Sequence, residues 1–321
     1  MKLAKIFVGV DISKDNLDVF LRPLDQYFRV RNNVSGLNEI LNKLSGYDTV
    51  RIVCESSGGY EKLLIRTLSN AGYFIWLVEP KRIKSFIASD GIKAKTDKID
   101  ASMIALFAQQ KELPDQTRIK IPKKDEELLK ALVRRKNDLT GMIVREKTRL
   151  IHPQVEFCKD KIQQHIDFMT AQVTGLEKEI EQLIDNDDDW KHKQDIITSI
   201  PGAGKGTSAT LLAFFSELGS IGNKQVAALL GVAPYTNESG NHKKKSIVKE
   251  GRPLPRKMLY MPTLSAVRHN PDFKIFYERL RGEGKPPKVA LIAVMRKFII
   301  LANVLLTENR LWAPNKNAYS T

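Results

Sequence analysis

The sequence predicts an α/β domain at the N-terminus followed by a largely helical remainder. Short apolar runs alternate with amphipathic stretches over about the first 110 residues, which is typical of a layer of strands and helices. Further along the chain, apolar residues recur with helical spacing instead. A length of 321 residues accommodates several domains. We expect the domain boundaries to fall at 1–121, 122–190 and 191–321.

The N-terminal elements begin with strands. Residues 5–10 form an apolar run that ends at Asp11, and residues 17–21 alternate like a strand with one buried face. Residues 50–54 form another buried run, which ends at Glu55. The other elements predicted here are strands over 27–30 and 73–78 and helices over 37–44 and 60–71. Strand hairpins followed by alternating strands and helices indicate a mixed α/β fold.

The middle of the chain predicts two long helices on either side of Pro153. Apolar residues of the second helix step by four and three residues, the spacing of a coiled-coil seam, at Ile162, Ile166, Met169, Val173, Leu176, Ile180 and Leu183. The first helix has near-heptad spacing at Leu128, Leu132, Leu139, Ile143 and Leu150. We predict a coiled-coil helical hairpin, an intermolecular coiled coil, or both. Packing into an ordinary hydrophobic core would produce the same spacing of apolar residues.

The last part of the chain is predicted to be mostly helical, with one polar loop over 235–251. The predicted helices span residues 205–218, 225–230, 255–268, 272–280 and 287–306. The glycines at 202 and 204 resemble the turn of a helix–hairpin–helix, in which backbone N–H groups approach a phosphate. An ordinary packing turn would look similar. The spacing of a Walker loop is absent.

Positive charge dominates the chain and is concentrated at its C-terminal end. The formal net charge is +15, and residues 241–321 contain 17 Lys and Arg against 5 Asp and Glu, a net +12. Such an excess indicates a polyanionic partner, usually nucleic acid. The basic residues that we predict to bind nucleic acid form three clusters: Lys81, Arg82, Lys84, Lys93 and Lys95; Arg134, Arg135, Arg145 and Arg149; and Lys243, Lys244, Lys245, Lys249, Arg252 and Arg256. A solvated face is the simpler interpretation of any one cluster.

Two cysteines, Cys54 and Cys158, lie far apart in the sequence. This usage argues against a disulfide scaffold and a cysteine zinc site, and it fits a reducing cytoplasm. No run approaches about 18 uninterrupted apolar residues, so we expect no membrane span. The first residues lack the apolar core and cleavage site of a signal peptide.

Four acidic residues are candidates for metal chemistry. Asp11 and Glu55 each follow a buried strand, and their side chains would meet if the two strands are neighbours. Asp97 and Asp100 are three residues apart and share a helix face. Thr96 also suits a helix N-cap, which explains acids there without any function. Together, four carboxylates suit Mg²⁺ or Mn²⁺, and a pair of such ions about 4 Å apart assists phosphodiester chemistry.

Ser239 lies in the polar loop, directly before the lysines of the third cluster. A lone loop serine is usually structural, and neither a G-x-S-x-G elbow nor a Ser/His/Asp order is present. In a basic loop, a serine can instead attack a phosphodiester, because nearby cations stabilise the charge that develops. The pattern does not distinguish it from Ser246.

Taken together, the motifs resemble the DEDD transposases of the insertion-sequence-110 family. The segments that carry the resemblance, in chain order, are FVGVDISK (7–14), CESSGGY (54–60), KAKTDKIDA (93–101), SIPGAG (199–204), GVAPY (231–235), ESG (238–240) and LYMP (259–262). They span nearly the whole chain. The arrangement of the acids also resembles the ribonuclease-H-like (RuvC-like) nuclease fold.

The resemblance implies a RuvC-like N-terminal domain, a coiled-coil middle and a helical C-terminal transposase domain. It implies that Asp11, Glu55, Asp97 and Asp100 are Mg²⁺ ligands, and that Ser239 is a nucleophile forming a transient covalent bond to DNA. It further implies a structured bridge RNA that pairs with donor and target DNA. It also implies a homo-oligomer, a dimer or tetramer, whose site combines the RuvC-like domain of one subunit with the serine domain of another. We expect a cytoplasmic protein of a bacterium or archaeon that acts at the nucleoid.

Three other interpretations stay open on sequence alone. The first is a metal-dependent nuclease, such as a junction resolvase, in which Ser239 has no catalytic role. The second is an actin-like sugar kinase, because residues 8–13 also resemble a first phosphate loop, although convincing further nucleotide loops are absent. The third is a non-catalytic scaffold that binds nucleic acid.

Overall fold

A computed structural model describes residues 5–89, 96–111, 123–239 and 242–314. The chain divides into two compact units, Met1–Pro122 and Lys123–Thr321. An N-terminal α/β unit and a largely helical second unit agree with the predicted fold classes. Leu129 and Val133 of the middle segment share one core with Ile197 and Phe298 of the C-terminal segment. The finer division at residue 190 stays a prediction.

The first unit is a five-stranded mixed sheet with helices on both faces. Its elements are β1 (Ile6–Ile12), β2 (Asn16–Arg22), β3 (Gln26–Arg31), α1 (Val34–Leu44), β4 (Val50–Glu55), α2 (Lys62–Asn70), β5 (Phe74–Val78), α3 (Pro80–Ser89) and α4 (Asp97–Gln110). The strand order is β3-β2-β1-β4-β5. The first three strands form an antiparallel meander, whereas β4 and β5 run parallel to β1. Every strand predicted from the sequence is present.

Because successive residues of a strand point to opposite faces, the apolar side chains of the sheet form two separate layers. Val8 and Val10 of β1 pack with Leu37 and Ile40 of α1 on one face. On the other face, α3 and α4 cover Val53 of β4. Since β1 and β4 lie in the middle of the sheet, both of their faces are buried. This explains the nearly continuous apolar runs in their sequences.

The second unit consists mainly of helices. Its elements are α5 (Lys124–Leu150), a 3₁₀ helix (Pro153–Cys158), α6 (Lys159–Asp185), α7 (Asp188–Thr198), α8 (Lys205–Phe214), α9 (Asn223–Leu230), β6 (Pro234–Ser239), β7 (His242–Val248), α10 (Pro253–Met258), α11 (Tyr260–His269), α12 (Pro271–Gly282) and α13 (Pro287–Thr307). The long helices α5 and α6 pack against each other as a hairpin.

The core-facing positions of α5 agree with the predicted seam only in part, since Leu139 is buried and Leu132 packs against the core. Leu128 is 46% exposed, while Leu129 and Val133 are buried. These two side chains pack into the core formed with the C-terminal helices, so the face of α5 is set by that core rather than by α6 alone. On α6, Ile166, Met169 and Ile180 of the predicted seam are buried.

The polar loop predicted over 235–251 is wrong, because most of this segment forms an antiparallel hairpin of β6 and β7. Glu238 pairs with Lys243 and Ser239 with His242, and the register shifts between Tyr235 and Asn237. Residues 240 and 241, which connect the strands, lie outside the described residues.

Among the described residues, α13 has the length and hydropathy of a membrane span. Arg296 and Lys297 interrupt its apolar sequence near the middle. Its buried side chains, including Phe298 and Ile299, are part of the core of the second unit. The helix therefore contributes to the core of the second unit.

Candidate active site

The candidate site lies on the face of the sheet that α4 covers. A Cβ atom at Gly9 would lie 2.2 Å from the Ala101 carbonyl oxygen and 2.3 Å from the Ala105 backbone nitrogen. The helix therefore packs directly on the β1 backbone, and a glycine is needed there. Since residues two apart share a strand face, Asp11 lies on the α4 side of the sheet.

Asp11 and Glu55 occupy matching positions at the ends of two parallel strands. Val10 is paired with Cys54, so the next residue of each strand is a carboxylate. Val53 packs in the cluster on the α4 side, and Glu55, two residues further on, faces the same side. The register thus brings both carboxylates to one edge of the sheet.

Asp97 and Asp100 lie in the first turn of α4, at the same edge of the sheet. The Thr96 hydroxyl caps the helix by accepting a hydrogen bond from the Ile99 N–H at 3.2 Å. The cap interpretation of this segment is therefore correct. It does not exclude a second role for the acids, because the Asp97 side chain is 62% exposed.

The carboxylates on this face repel one another. Burial raises the pKa of Asp11, and the negative charges of Asp100, Asp18 and Asp97 raise it further. Each of these effects disfavours the ionised form of Asp11. A cation among these groups would have the opposite effect and favour it.

Asp18 and Arg29 belong to this site but were not among the residues predicted from the sequence. Asp18 lies directly opposite Asp11 in the β1–β2 register and is 3% exposed. Its carboxylate accepts hydrogen bonds from the Tyr27 hydroxyl at 2.6 Å and from Arg29 Nε at 2.8 Å. Arg29 Nη2 also donates to Asp97 at 2.5 Å. The signal in the sequence was an acid within the otherwise apolar run of β2.

Glu61 fixes the turn that follows Glu55. Its carboxylate accepts hydrogen bonds from the Ser57 hydroxyl at 2.7 Å, the Gly59 N–H at 2.9 Å and the Ser57 N–H at 3.1 Å. Burial alone would raise the pKa of Glu61, but these hydrogen bonds outweigh it and lower the pKa. Gly58 and Gly59 both have positive φ, so the turn requires glycine.

The donor set suits a hard divalent cation by its chemistry. Four carboxylates from β1, β4 and α4 face one side of the sheet, and carboxylate oxygens are what Mg²⁺ prefers. Their repulsion at Asp11 is a charge imbalance that such an ion would relieve. Within the described residues, no group of three acidic, histidine or cysteine side chains is close enough to hold an ion. The residues fit the ion by the chemistry of their donor atoms, and binding it would require these carboxylates to move closer together.

The predicted nucleophile lies in the second unit. Ser239 is the last residue of β6, whereas Ser246 lies within β7. Lys243, Lys244 and Lys245 are also in β7, so the hairpin presents its serine at the tip and its lysines along one strand. The side chains of these residues lie outside the part of the chain that the structure describes.

Arg252 and Arg256, two predicted nucleic-acid ligands that follow the hairpin in the sequence, form hydrogen bonds within the second unit. Arg252 donates to the Phe214 carbonyl and to both Glu217 oxygens, at 3.1 and 2.6 Å. Arg256 donates to the carbonyls of Gly231 at 3.0 Å and of Glu250 at 2.8 Å. These contacts lie within the unit, and a role of either residue in nucleic-acid binding stays a prediction.

The other predicted nucleic-acid contacts are mostly on exposed helix faces. Lys81, Arg82 and Lys84 lie on α3, and the cations of the second cluster lie on α5: Arg134, Arg135, Arg145 and Arg149. The ammonium of Lys249 lies 5.3 Å from the centre of the Tyr235 ring. Lys93 and Lys95 are outside the described residues.

The two glycines of the 199–204 turn differ in their surroundings. Gly202 has φ of +92°, and a Cβ there would lie 2.5 Å from the Ala266 Cα, so this glycine is needed for packing against α11. Gly204 caps α8, and a Cβ there would meet nothing within 4 Å. Packing therefore does not require a glycine at this position, and a role of either glycine in phosphate binding stays a prediction. A groove beside it is lined by Arg135, Arg145 and Lys257.

Two family models match the chain. A DEDD transposase model named for IS110 elements, described as Transposase, matches residues 8–155, and a model described as Transposase IS116/IS110/IS902 family matches residues 194–278. The first match contains all four candidate carboxylates, and the second contains Ser239. The chain belongs to the IS110 family of transposases.

Two relatives align with nearly the whole length of this transposase. It is 28% identical over 319 residues to the pilin gene-inverting protein of Moraxella bovis, covering 96% of this chain and 98% of the relative. The pilin gene-inverting protein of Moraxella lacunata is 27% identical with the same coverage. A 42 kDa protein of insertion element IS900 from Mycobacterium paratuberculosis is 27% identical over 37% of this chain and 31% of its own length. The chain is a DNA transposase/recombinase, and its substrate is DNA.

Proposed function

We propose that the enzyme cuts and rejoins DNA strands with a carboxylate-bound divalent metal in the first unit and a serine nucleophile in the second. The observation that carries the proposal is the placement of Asp11, Glu55, Asp97 and Asp100 on one face of one sheet. These acids come from three distant parts of the sequence, and packing of the core does not require them to share one face of the sheet.

The first unit is proposed to be a ribonuclease-H-like (RuvC-like) domain. An antiparallel three-stranded meander, extended by two parallel strands in the order β3-β2-β1-β4-β5, supports this assignment. In this arrangement the carboxylates lie at the carboxyl ends of the two central strands, β1 and β4. Ligands of open α/β sheets commonly bind there.

Asp11, Glu55, Asp97 and Asp100 would hold Mg²⁺ or Mn²⁺. The bound ion supplies Lewis-acid activation of an attacking oxygen and stabilises charge on the leaving oxygen. The protein's own contribution is orientation: β1 and β4 fix two donors in register, and the capped first turn of α4 fixes the other two. Glu61 holds the turn after Glu55 and so limits the movement of that donor.

Ser239 is proposed to attack a DNA phosphodiester. The hydroxyl proton passes to water, the serine oxygen bonds to phosphorus, and the bond from phosphorus to the neighbouring deoxyribose oxygen breaks as that oxygen takes up a proton. The covalent link keeps the phosphodiester energy, so the reverse step rejoins strands without ATP. Its place at the tip of the β6–β7 hairpin, beside a strand with three lysines, supports this role.

A structured guide RNA and an oligomer complete the proposal. The net charge of +15 supports binding of RNA together with donor and target DNA. Large apolar side chains near the connection between α5 and α6 support association of copies, since Ile151 is 82% exposed, Phe157 fully exposed and Phe168 62% exposed. A coiled coil formed by this hairpin with a second copy is part of the proposal. The names of the Moraxella relatives support inversion of a DNA segment as one form of the reaction.

Trapping of the covalent intermediate tests the serine. The full-length protein is incubated with Mg²⁺, labelled DNA carrying the ends of the element and RNA transcribed from its flank, then denatured and separated by electrophoresis. We expect a protein–DNA adduct with the wild type and with Ser246→Ala, and none with Ser239→Ala or Asp11→Asn. An adduct that persists in Ser239→Ala overturns the assignment. Cleavage without any adduct in the wild type favours a metal-dependent nuclease such as a junction resolvase.

A further inference from the structure

The Arg29 guanidinium is a cation that lies at the face of the sheet where the carboxylates are placed. This side chain extends from β3, next to β2 at the edge of the sheet, and bridges two acids. Nε lies 2.8 Å from Asp18, and Nη2 lies 2.5 Å from Asp97 on α4. The guanidinium therefore links the sheet to the first turn of the helix that carries half of the acidic set.

Asp18 gives this bridge a rigid support. Its side chain is 4% exposed, and a buried carboxylate requires charge and hydrogen-bond partners. The Tyr27 hydroxyl and Arg29 Nε both donate to the same oxygen, Oδ1. Since β2 and β3 are paired neighbours, with Asp18 opposite Arg29 in the register, this anchor is fixed by the backbone.

Asp97 needs such support because it lies at the exposed start of a helix. Its carboxylate is 62% exposed, and without a partner it would sample several rotamers. Arg29 contacts only Oδ2 in the hydrogen bonds at this site, which leaves Oδ1 for another ligand. Carboxylates that bind metals are generally oriented in this way by an outer hydrogen bond.

We propose that Arg29, anchored by Asp18, is a positioning residue that orients Asp97 for metal binding. The inference rests on the proposed metal site and adds two residues, Arg29 and Asp18, that the sequence motifs do not contain. Arginine suits the role because its planar fork reaches two carboxylates at once, which the single ammonium of lysine does not.

Titration of the full-length protein with Mn²⁺ in the absence of DNA tests the proposal. We expect Arg29→Met to raise the Mn²⁺ dissociation constant about 10- to 100-fold, and Arg29→Lys to restore part of the affinity. Arg31→Met, an exposed arginine two residues along the same strand, is the matched control and should bind as the wild type does. Tyr27→Phe removes the other partner of Asp18 without touching Asp97, and it should also leave the affinity unchanged.

The outcomes separate this inference from the metal site itself. If Asp11→Asn abolishes Mn²⁺ binding while Arg29→Met binds as tightly as the wild type, or more tightly, the positioning role is overturned and the metal site stands. If the wild type binds no Mn²⁺, both are overturned. Thermal melting of each variant shows whether it is folded. If Arg29→Met does not fold, the test rests on Arg29→Lys. The role is overturned if Arg29→Lys binds Mn²⁺ as tightly as the wild type while Tyr27→Phe binds it more weakly.

Discussion

Glu61 shows how one side chain holds a functional segment in place. Its carboxylate accepts three hydrogen bonds from the turn after Glu55. Hydrogen bonds to a charged group contribute more than neutral ones, and here they keep the pKa low despite burial. The residue therefore stabilises the fold and limits the position of a candidate metal ligand.

We expect Glu61→Ala to lower the free energy of unfolding by about 1–3 kcal/mol at neutral pH. Because the folded pKa of Glu61 lies below its unfolded value, its contribution is present above the unfolded pKa and is lost as pH falls through the folded pKa. The difference between wild type and variant should accordingly shrink in acid. Denaturant unfolding at pH 7 and near pH 3 measures it. Glu39→Ala, on the exposed face of α1, is the control, and a gap that persists in acid contradicts the assignment.

At the residue scale, the sequence predicts those acids whose position is determined by the strand that carries them. Asp11 and Glu55 each end an apolar run, and a parallel pairing of those runs brings them together. Asp18 and Arg29 were missed because their contacts depend on the β2–β3 register and on the approach of α4. That approach depends in turn on a glycine, Gly9, which carries no chemical signal of its own.

At the element scale, the β6–β7 hairpin could not be predicted from the pattern of residues. Its sequence is polar and lysine-rich, which is typical of a loop, and no apolar alternation indicates strands. The two strands nevertheless pair along their backbones. Gly231 and Gly251 approach so closely that a Cβ at Gly251 would lie 2.3 Å from the Gly231 nitrogen. Such contacts between distant residues are not visible in local sequence.

The hydrogen bonds of Arg252 to Phe214 and Glu217 give a prediction about stability. We expect Arg252→Met to lower the free energy of unfolding by about 1–3 kcal/mol, because it leaves Glu217 and the Phe214 carbonyl without their donor. Lys257→Met, at an exposed cation on α10, the helix that Arg252 precedes, should change stability by less than about 0.5 kcal/mol. Denaturant unfolding of both variants measures the difference. Equal stabilities would contradict a stabilising role of these hydrogen bonds.

At the scale of the whole molecule, the distribution of charge connects the fold to its substrate. The excess of basic residues lies largely in the second unit, while the first unit concentrates acids on one face of its sheet. Composition alone predicted a polyanionic partner. It did not distinguish cations engaged inside the protein from those open to solvent, because that distinction depends on neighbours such as Glu217 at Arg252 and Glu177 at Lys136.

This distinction predicts how DNA affinity depends on salt. If six to ten phosphates are contacted, the association constant should fall by about 10³- to 10⁵-fold between 50 and 200 mM salt. Neutralising one solvent-facing cation, as in Lys257→Met or Arg145→Met, should weaken the slope of log affinity against log salt by about one. Arg252→Met should leave the slope unchanged, because that guanidinium is already engaged by Glu217. Fluorescence anisotropy with a DNA duplex at several salt concentrations measures all three variants. A flat response of the wild type would contradict backbone binding by the basic residues. A reduced slope in Arg252→Met would show that this residue contacts phosphate, as the sequence predicts.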